Sequence, residues 1–231
     1  MKKRAIISFA NSRGRYYEAL ERLEKSLEGK FDGDFIGYRD EESIGAPKHE
    51  TNPYAFKIFC FADAIKRQYQ QILWLDSSVY AVRDVSPVFD IIERDGYIMQ
   101  EAGCVVGEWC NENALNYIGI SRDDAMNMPC YGNAGFLGLN FSGDPDGTPG
   151  TFFKLWSLAM LAGLFKGNWD NSTGSESEDP RCKGHRHDLA IGSIFANYLE
   201  MKYQKGDEIL EYAAPEAPIK NDTIIFKAQG L

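Results

Sequence analysis

A carboxylate and two hydroxyls follow directly on an apolar segment of the sequence. The run Ile72–Leu75 ends at Asp76, Ser77 and Ser78. Ligands of open α/β sheets bind at the carboxyl ends of the strands, where an acid can hold a divalent cation that neutralises phosphates. The other interpretation is a turn in which the Asp and Ser side chains bond to nearby backbone groups. The tripeptide alone favours the turn.

A second cluster of titratable side chains comes late in the sequence. His185 and His187 flank Arg186 directly before Asp188. Clustered titratable groups are frequent at functional sites, but Asp is also among the best helix N-cap residues. The two roles are compatible, because a helix N-terminus attracts anions. We favour a functional role over capping alone.

Alternating strands and helices would bring the two clusters to one edge of a sheet. The sequence predicts strands at 4–10, 34–38, 71–76 and 134–141, with strand character again in 222–231. Helical patterns cover 16–27, about 53–69 after the start signal Asn52-Pro53, 152–165 and 188–199, where Asp188 is placed to cap the helix. Strands that alternate with helices pair in parallel through right-handed crossovers. The polar stretch 167–184 is predicted to be a mobile loop or lid.

The totals are those of a globular α/β protein. The 231 residues suit one domain over 1–231, and no internal repeat or linker is evident. A net charge of −9 argues against a nucleic-acid partner. Five cysteines without a CxxC pair favour reduced thiols. With no transmembrane segment expected, we predict a cytoplasmic protein.

Three consecutive segments carry a resemblance to a known family. "NPYAFKIFCFADAIKRQYQ", "ILWLDSSVY" and "VRDVSPVFDIIERDGYIM" together resemble the core of the GT-A glycosyltransferases. Lys57 stands at the lysine of that family's Tyr/Phe-x-Lys element, and Asp76 at the first acid of its DxD motif. "YGNAGFLGLNF" and "HRHDLAIGSIFANYL" are similar to later motifs, so the resemblance covers roughly residues 4–230. It implies a single GT-A-like (Rossmann-like) domain with a mixed, mainly parallel central sheet flanked by helices.

The resemblance also implies an activity and a set of site residues. The activity is transfer of a hexose or deoxyhexose from a nucleotide-diphosphate donor, by default a uridine diphosphate sugar, to a hydroxyl of a glycan or other small acceptor. Retention and inversion of the anomeric centre both stay open. Asp188 and His187 are the expected catalytic residues, and Asp188 is a candidate base if the reaction inverts. The expected donor-binding residues are Phe9, Ala10, Asn11, Arg13, Lys57, Asp76, Ser77, Ser78, His185 and Lys227. The expected sugar or acceptor contacts are Asn133, Ala134, Gly135 and Trp109, with Trp169 as a further candidate.

The sequence departs from the family pattern at the metal site. Asp76 and Ser78 are the expected ligands of Mn²⁺ or Mg²⁺, but Ser78 replaces the second acid of DxD. A neutral hydroxyl is a weaker ligand for these hard cations than a carboxylate. Late in the chain, Lys227 of "FKAQG" stands where the family often has a histidine, and an ammonium there could neutralise the leaving diphosphate directly. Metal dependence is therefore open.

Two other functions stay in competition. A nucleotidyltransferase that makes sugar nucleotides would carry a glycine-rich basic loop after the first strand, and "NSRGRYYE" is only a faint version of it. A non-catalytic nucleotide-sugar-binding domain with a degenerate DxD is the other alternative, and Ser78 is the evidence for it. Retention of Asp76, Lys57 and the His-Arg-His-Asp cluster argues against that alternative.

Overall fold

A five-stranded mixed sheet forms the centre of the fold. The computed structural model describes residues 3–11, 14–214 and 216–229, and the side chains of all of these except residues 132–134. The strands are β1 (Arg4–Phe9), β2 (Asp34–Tyr38), β3 (Gln71–Leu75), β4 (Val79–Ala81), β5 (Tyr97–Val105), β6 (Pro129–Asn140), β7 (Leu210–Tyr212) and β8 (Phe226–Ala228). The central order is β2-β1-β3-β6-β5, in which β1 is parallel to β2 and β3, and β6 is antiparallel to β3 and β5. The predicted mixed, mainly parallel sheet of an α/β fold is confirmed.

Helices cover both faces of this sheet. They are α1 (Arg15–Ser26), α2 (Phe56–Lys66), α3 (Ser86–Asp95), α4 (Val106–Trp109), α5 (Glu112–Ile118), α6 (Arg122–Ala125), α7 (Thr148–Leu161) and α8 (His187–Tyr198), with a 3₁₀ turn at Glu42–Ile44. Helices α2, α7 and α8 pack one face through an apolar cluster that includes Phe61 and Trp156. Helices α1 and α3 pack the other face through a cluster that includes Leu23 and Phe89. None of the helices in the described part of the chain is long and apolar enough to cross a membrane.

The two-sided packing explains why β3 is apolar from Ile72 to Leu75. Successive side chains of a strand point to opposite faces of the sheet. Ile72 and Trp74 accordingly belong to the first cluster, whereas Leu73 and Leu75 belong to the second. A central strand buried on both faces requires this continuous apolar run, and the strand delivers Asp76 at its carboxyl end.

A smaller sheet, of order β4-β8-β7, joins the last described residues to the turn after β3. Strand β8 is antiparallel to β4, which follows directly on Asp76, Ser77 and Ser78. The backbone N–H of Gln229 donates to the Ser78 carbonyl at 3.2 Å. The guanidinium of Arg22 on α1 donates to the same carbonyl at 2.8 Å and to the Gln229 side chain at 2.5 Å. The turn is therefore held by groups from both halves of the chain.

Several boundaries differ from the sequence-based expectations. Helix α2 begins at Phe56 rather than Pro53, and the side chain of Asn52 donates to the Met160 carbonyl instead of capping the helix. Strand β6 starts at Pro129 rather than 134, because it continues along β5 beyond a register shift. The stretch 167–184 contains no helix or strand, as expected for a loop, and Asn171 holds it through bonds to the backbone of Glu176 and Ser177.

Candidate functional site

A buried lysine joins two carboxylates at the carboxyl end of β3. Lys57 on α2 is 1% exposed, and its Nζ lies 2.9 Å from Asp188 Oδ2 and 3.5 Å from Asp76 Oδ1. A buried charge is tolerated when it is paired. Burial acts to lower the pKa of Lys57, but the carboxylates of Asp188 and Asp76 outweigh it and raise that pKa above its ordinary value. Lys57 therefore carries its charge at neutral pH and ties α2, the end of β3 and α8 together.

Asp188 lies inside the first turn of α8 rather than at its cap. The N-cap position is Arg186, and its side chain makes no capping hydrogen bond. The expectation that Asp188 caps this helix is thus wrong: its carboxylate turns inward to Lys57, where the ammonium offsets its burial. Burial raises the pKa of Asp188 above its ordinary value, although Lys57 acts in the opposite direction.

Asp76 is held in place from two strands. Its Oδ1 accepts a hydrogen bond from Trp74 Nε1 at 2.8 Å, and its backbone N–H donates to the Gly135 carbonyl at 3.0 Å. A Cβ at position 135 would lie 3.0 Å from Asp76 Oδ2. A glycine in β6 thus permits the close approach of this carboxylate, whose side chain is 38% exposed.

An aromatic cleft of about 350 Å³ opens on one side of Asp76. Its walls are the rings of Phe9, Tyr16, His49, Tyr54, Phe56 and Trp74, and its polar floor includes Asn11, Asp76, Ser77 and Ser78. Phe9 and Phe56 stack with ring centroids 4.2 Å apart. Flat apolar walls beside a few convergent polar groups suit a ligand that carries a planar ring and a polar extension.

A second space of about 230 Å³, the Asp188 cavity, is also lined by Asp76. Its lining is Tyr54, Lys57, Asp76, Gly135, Trp169, Arg186, Asp188, Leu189 and Tyr212. Asp76 and Tyr54 line both spaces. One ligand could therefore extend from the aromatic cleft past Asp76 to Asp188.

The structure brings many of the predicted site residues to these two spaces. The aromatic cleft collects Phe9, Ala10, Asn11, Asp76, Ser77 and Ser78, and the Asp188 cavity collects Lys57, Asp76, Gly135 and Asp188. Trp109 stands behind the cavity lining, where its ring contacts the guanidinium of Arg186 at 4.1 Å. Arg13 lies outside the described residues, as do the side chains of Asn133 and Ala134.

The two late histidines bond to the backbone. His185 accepts from the Asn111 N–H through Nδ1, and its Nε2 lies 3.0 Å from the Leu164 carbonyl. Burial lowers the pKa of His185 to about 3, so it is neutral. His187 Nδ1 lies 2.8 Å from the Phe165 carbonyl, and burial lowers the pKa of this side chain too. Neither histidine is in the lining of the two spaces, so the geometry gives both a structural position.

Lys227 is in the lining of neither space. Its Nζ donates to the carbonyls of Ala217 at 2.6 Å and Ala214 at 3.3 Å, and it lies 3.8 Å from Glu211 Oε1. Glu211 is fully buried and pairs with Lys227 across β7 and β8. In this conformation the lysine stabilises the smaller sheet, which gives no support to the expected contact with a diphosphate.

The donor groups do not form a metal site by themselves. No cluster of three or more His, Cys, Asp or Glu side chains able to hold a metal occurs among residues 3–11, 14–214 and 216–229. Asp76 Oδ1 is engaged by Trp74 and lies 3.5 Å from the Lys57 ammonium. One carboxylate and the Ser78 hydroxyl beside a cation fall short of the six or more oxygens that such cations coordinate. Water and the phosphates of a bound ligand would have to supply the remaining oxygens for the expected Mn²⁺ or Mg²⁺.

Sequence reasoning missed part of the site. His49, with its neighbour Glu50, lines the aromatic cleft from a polar loop that gave no functional signal. Tyr54 lines both spaces, and its one signal was its position near Lys57. Arg186 lines the Asp188 cavity. Its position between His185 and His187 was the sequence feature that could have indicated a role in the site.

Comparisons with known proteins agree at the level of the fold. No protein-family model matches the sequence, and no curated protein matches it. A solved glycosyltransferase involved in the glycosylation of the major capsid of PBCV-1 superposes with a TM-score of 0.50 at 13% identity, covering 98% of this chain and 92% of that one. Mouse xyloside xylosyltransferase 1 gives 0.53 at 9% identity, covering 98% and 97%. The bifunctional glycosyltransferase WbbM gives 0.50 at 11% identity, covering 91% of this chain and 40% of the other. This chain therefore has the fold seen in these glycosyltransferases.

Proposed function

We propose that this protein is a GT-A-type glycosyltransferase that moves a sugar from a nucleotide-diphosphate donor, by default a uridine diphosphate sugar, to an acceptor hydroxyl of a glycan or small molecule. The observation that carries the proposal is Asp76, a carboxylate shared by the aromatic cleft and the Asp188 cavity. A nucleotide sugar has the same layout, with a planar base at one end and a sugar at the other.

The aromatic cleft is the proposed nucleotide site. A base that packs against the rings of Phe9, Tyr54 or Phe56 would gain stacking contact, since aromatic pairs prefer offset or edge-to-face packing. The hydroxyls of Ser77 and Ser78 are neutral hydrogen-bonding groups on the same floor. The diphosphate then lies beside the end of β3, and the sugar passes Asp76 into the Asp188 cavity.

The chemistry follows from the charges around this cavity. The bond between the anomeric carbon and the phosphate oxygen breaks, the carbon gains oxocarbenium character, and the acceptor oxygen forms the new bond. Asp76 and Asp188 place carboxylates beside that developing positive charge, and Lys57 fixes both of them. If the reaction inverts the centre, the acceptor proton passes to Asp188. Burial, which raises the pKa of this carboxyl, makes it a stronger base than an exposed aspartate.

Binding and turnover of a donor panel test this proposal. We expect uridine diphosphate to raise the thermal midpoint, because a ligand of the folded state stabilises it. We expect the uridine diphosphate sugar to be cleaved slowly without acceptor. Asp188→Asn should bind the donor but lose turnover by about 100-fold or more, in the range of a general acid–base group. Asp90→Asn is the matched control, since Asp90 is exposed on α3.

The competing functions give different results in the same experiment. Release of pyrophosphate from a nucleoside triphosphate would identify a nucleotidyltransferase. Binding without cleavage of any donor would identify a binding domain. Manganese in place of a chelator should change the affinity for uridine diphosphate by less than about 3-fold, because Ser78 is a neutral ligand and the Lys57 ammonium lies 3.5 Å from the Asp76 carboxylate. A gain of 100-fold or so would contradict that reasoning about the metal.

A further inference from the structure

The guanidinium of Arg186 contacts two indole rings. Its Cζ lies 4.1 Å from the ring centre of Trp109 and 4.4 Å from that of Trp169. The backbone N–H of Arg186 also donates to the Trp109 carbonyl at 2.9 Å. Cation–π contact with two rings restricts the orientation of the guanidinium. Its N–H groups lie in the plane of the guanidinium and reach a partner at its edge.

This edge has no protein partner within residues 3–11, 14–214 and 216–229. Among the described residues, no hydrogen bond or ion pair is made by the Arg186 side chain, and its Nε is buried without a hydrogen-bond acceptor. An unsatisfied buried polar group costs stability and calls for an explanation such as a ligand. The guanidinium lines the Asp188 cavity, so the space in front of it is where a ligand would supply the acceptor.

The charges around the cavity favour an anion at this position. Lys57 is already paired with Asp188 at 2.9 Å and lies 3.5 Å from Asp76. Lys183, which lies 5.9 Å from the Trp109 ring on the outside, pairs with Glu108 at 2.7 Å. Arg186 is the cation of the cavity lining that has no counter-ion within 4.0 Å among the described residues. A fixed planar fork of N–H donors matches the two oxygens of a carboxylate or phosphate.

We propose that Arg186, oriented by Trp109 and Trp169, binds an oxyanion of the ligand in the Asp188 cavity. This inference rests on the proposed function for the identity of the ligand. Two groups have the required chemistry: the diphosphate of the donor, and a carboxylate on the transferred sugar or the acceptor. Arg186 does not line the aromatic cleft, so it acts on the part of the ligand that lies beyond the base.

Calorimetric titration of wild type and Arg186→Gln with charged and neutral probes tests the inference. The nucleotide probes are uridine, uridine diphosphate, uridine diphosphate glucose and uridine diphosphate glucuronate, and the probes without a base are inorganic pyrophosphate and glucuronate. We expect the variant to lose about 10-fold or more in affinity for at least one anionic probe, as for a charge-assisted pair, while its affinity for uridine stays within about 2-fold. Lys183→Gln, which removes the neighbouring cation on Trp109, is the matched control and should leave every affinity unchanged.

The probes separate the two sources of the oxyanion. A loss that is already complete with uridine diphosphate assigns Arg186 to the phosphates. If wild type binds uridine diphosphate glucuronate more tightly than uridine diphosphate glucose, and the variant loses only this difference in affinity, Arg186 is assigned to a carboxylate. If wild type binds no nucleotide but binds pyrophosphate or glucuronate through Arg186, the nucleotide function fails while the oxyanion site stands.

Three results would overturn the inference. These are equal affinity of wild type and Arg186→Gln for every anionic probe, a loss for uridine as large as that for uridine diphosphate, and failure of wild type to bind any anionic probe. If Arg186→Gln does not fold, Arg186→Lys carries the test, because it keeps the charge but loses the planar fork. Unchanged affinity of that variant for all the anionic probes would overturn the inference as well.

Discussion

Replacing Lys57 by methionine is the sharpest test of the buried charge cluster. The substitution keeps most of the side-chain volume but leaves Asp188, whose side chain is 3% exposed, without the ammonium 2.9 Å away. Breaking a buried ion pair by removing one partner costs about 3–5 kcal/mol. For a chain of this length each kcal/mol lowers the thermal midpoint by about 2–4 °C, so we expect a loss of roughly 6–20 °C at neutral pH.

The loss should depend on pH in a defined direction. Burial raises the pKa of Asp188, and Lys57 acts against it. Without Lys57, the pKa of this carboxyl in the folded state lies further above its value in the unfolded chain. A folded state that binds its proton more tightly is favoured at low pH, so the deficit is largest above the folded pKa and shrinks as the pH falls through it. A second substitution, Asp188→Asn, removes the carboxylate that Lys57→Met leaves unpaired. The double variant should therefore recover much of the lost stability.

Differential scanning calorimetry between pH 4 and 8 provides the measurement. Lys66→Met on the exposed end of the same helix is the matched control, and we expect it to change the midpoint only slightly. A midpoint of Lys57→Met that equals wild type at every pH would refute the buried pair. If Asp188→Asn lowers the midpoint of Lys57→Met further instead of raising it, the loss of stability does not come from the unpaired Asp188 carboxylate.

Two further predictions concern the backbone at Asp76 and the neutral histidine. Gly135→Ala puts a Cβ 3.0 Å from Asp76 Oδ2. We therefore expect kcat/KM for the donor to fall about 10-fold or more with little loss of thermal stability. Unchanged turnover would contradict the close approach of Asp76 to position 135. Burial lowers the pKa of His185 to about 3. In the unfolded chain this imidazole takes up a proton below about pH 6.5, whereas in the folded protein it stays neutral down to about pH 3. Protonation therefore favours the unfolded chain, and the loss of stability grows as the pH falls through this range. Urea unfolding of His185→Gln should show a shallower loss of stability across that window, and a curve parallel to wild type would contradict it.

The sheet was predictable because its signal is local. The apolar run before Asp76 and the helical patterns on either side of it are properties of short segments, and strand order follows from few topological rules. The start of α2 was misplaced because Asn52 satisfies a carbonyl on α7 instead of a helix terminus. A cap signal does not reveal a competing partner that is distant in sequence.

The site was predictable in its residues more than in their roles. Asp76, Lys57 and Asp188 were all singled out, but the ion pair between α2 and α8 depends on which helix faces pack together, and no local pattern encodes that. His185 and Lys227 carry chemistry that suits a ligand, yet backbone carbonyls satisfy them. His49 lines the aromatic cleft from a loop whose composition is that of any polar surface.

The tether between Gln229, Arg22 and the Ser78 carbonyl makes the turn beside Asp76 depend on the smaller sheet. The turn over Ser77 and Ser78 gains its last hydrogen bonds only when β8 pairs with β4. If β8 detached from β4, the acid would therefore remain at the end of β3 while the turn lost these bonds, so local unfolding of the smaller sheet would be enough to disrupt the ligand site.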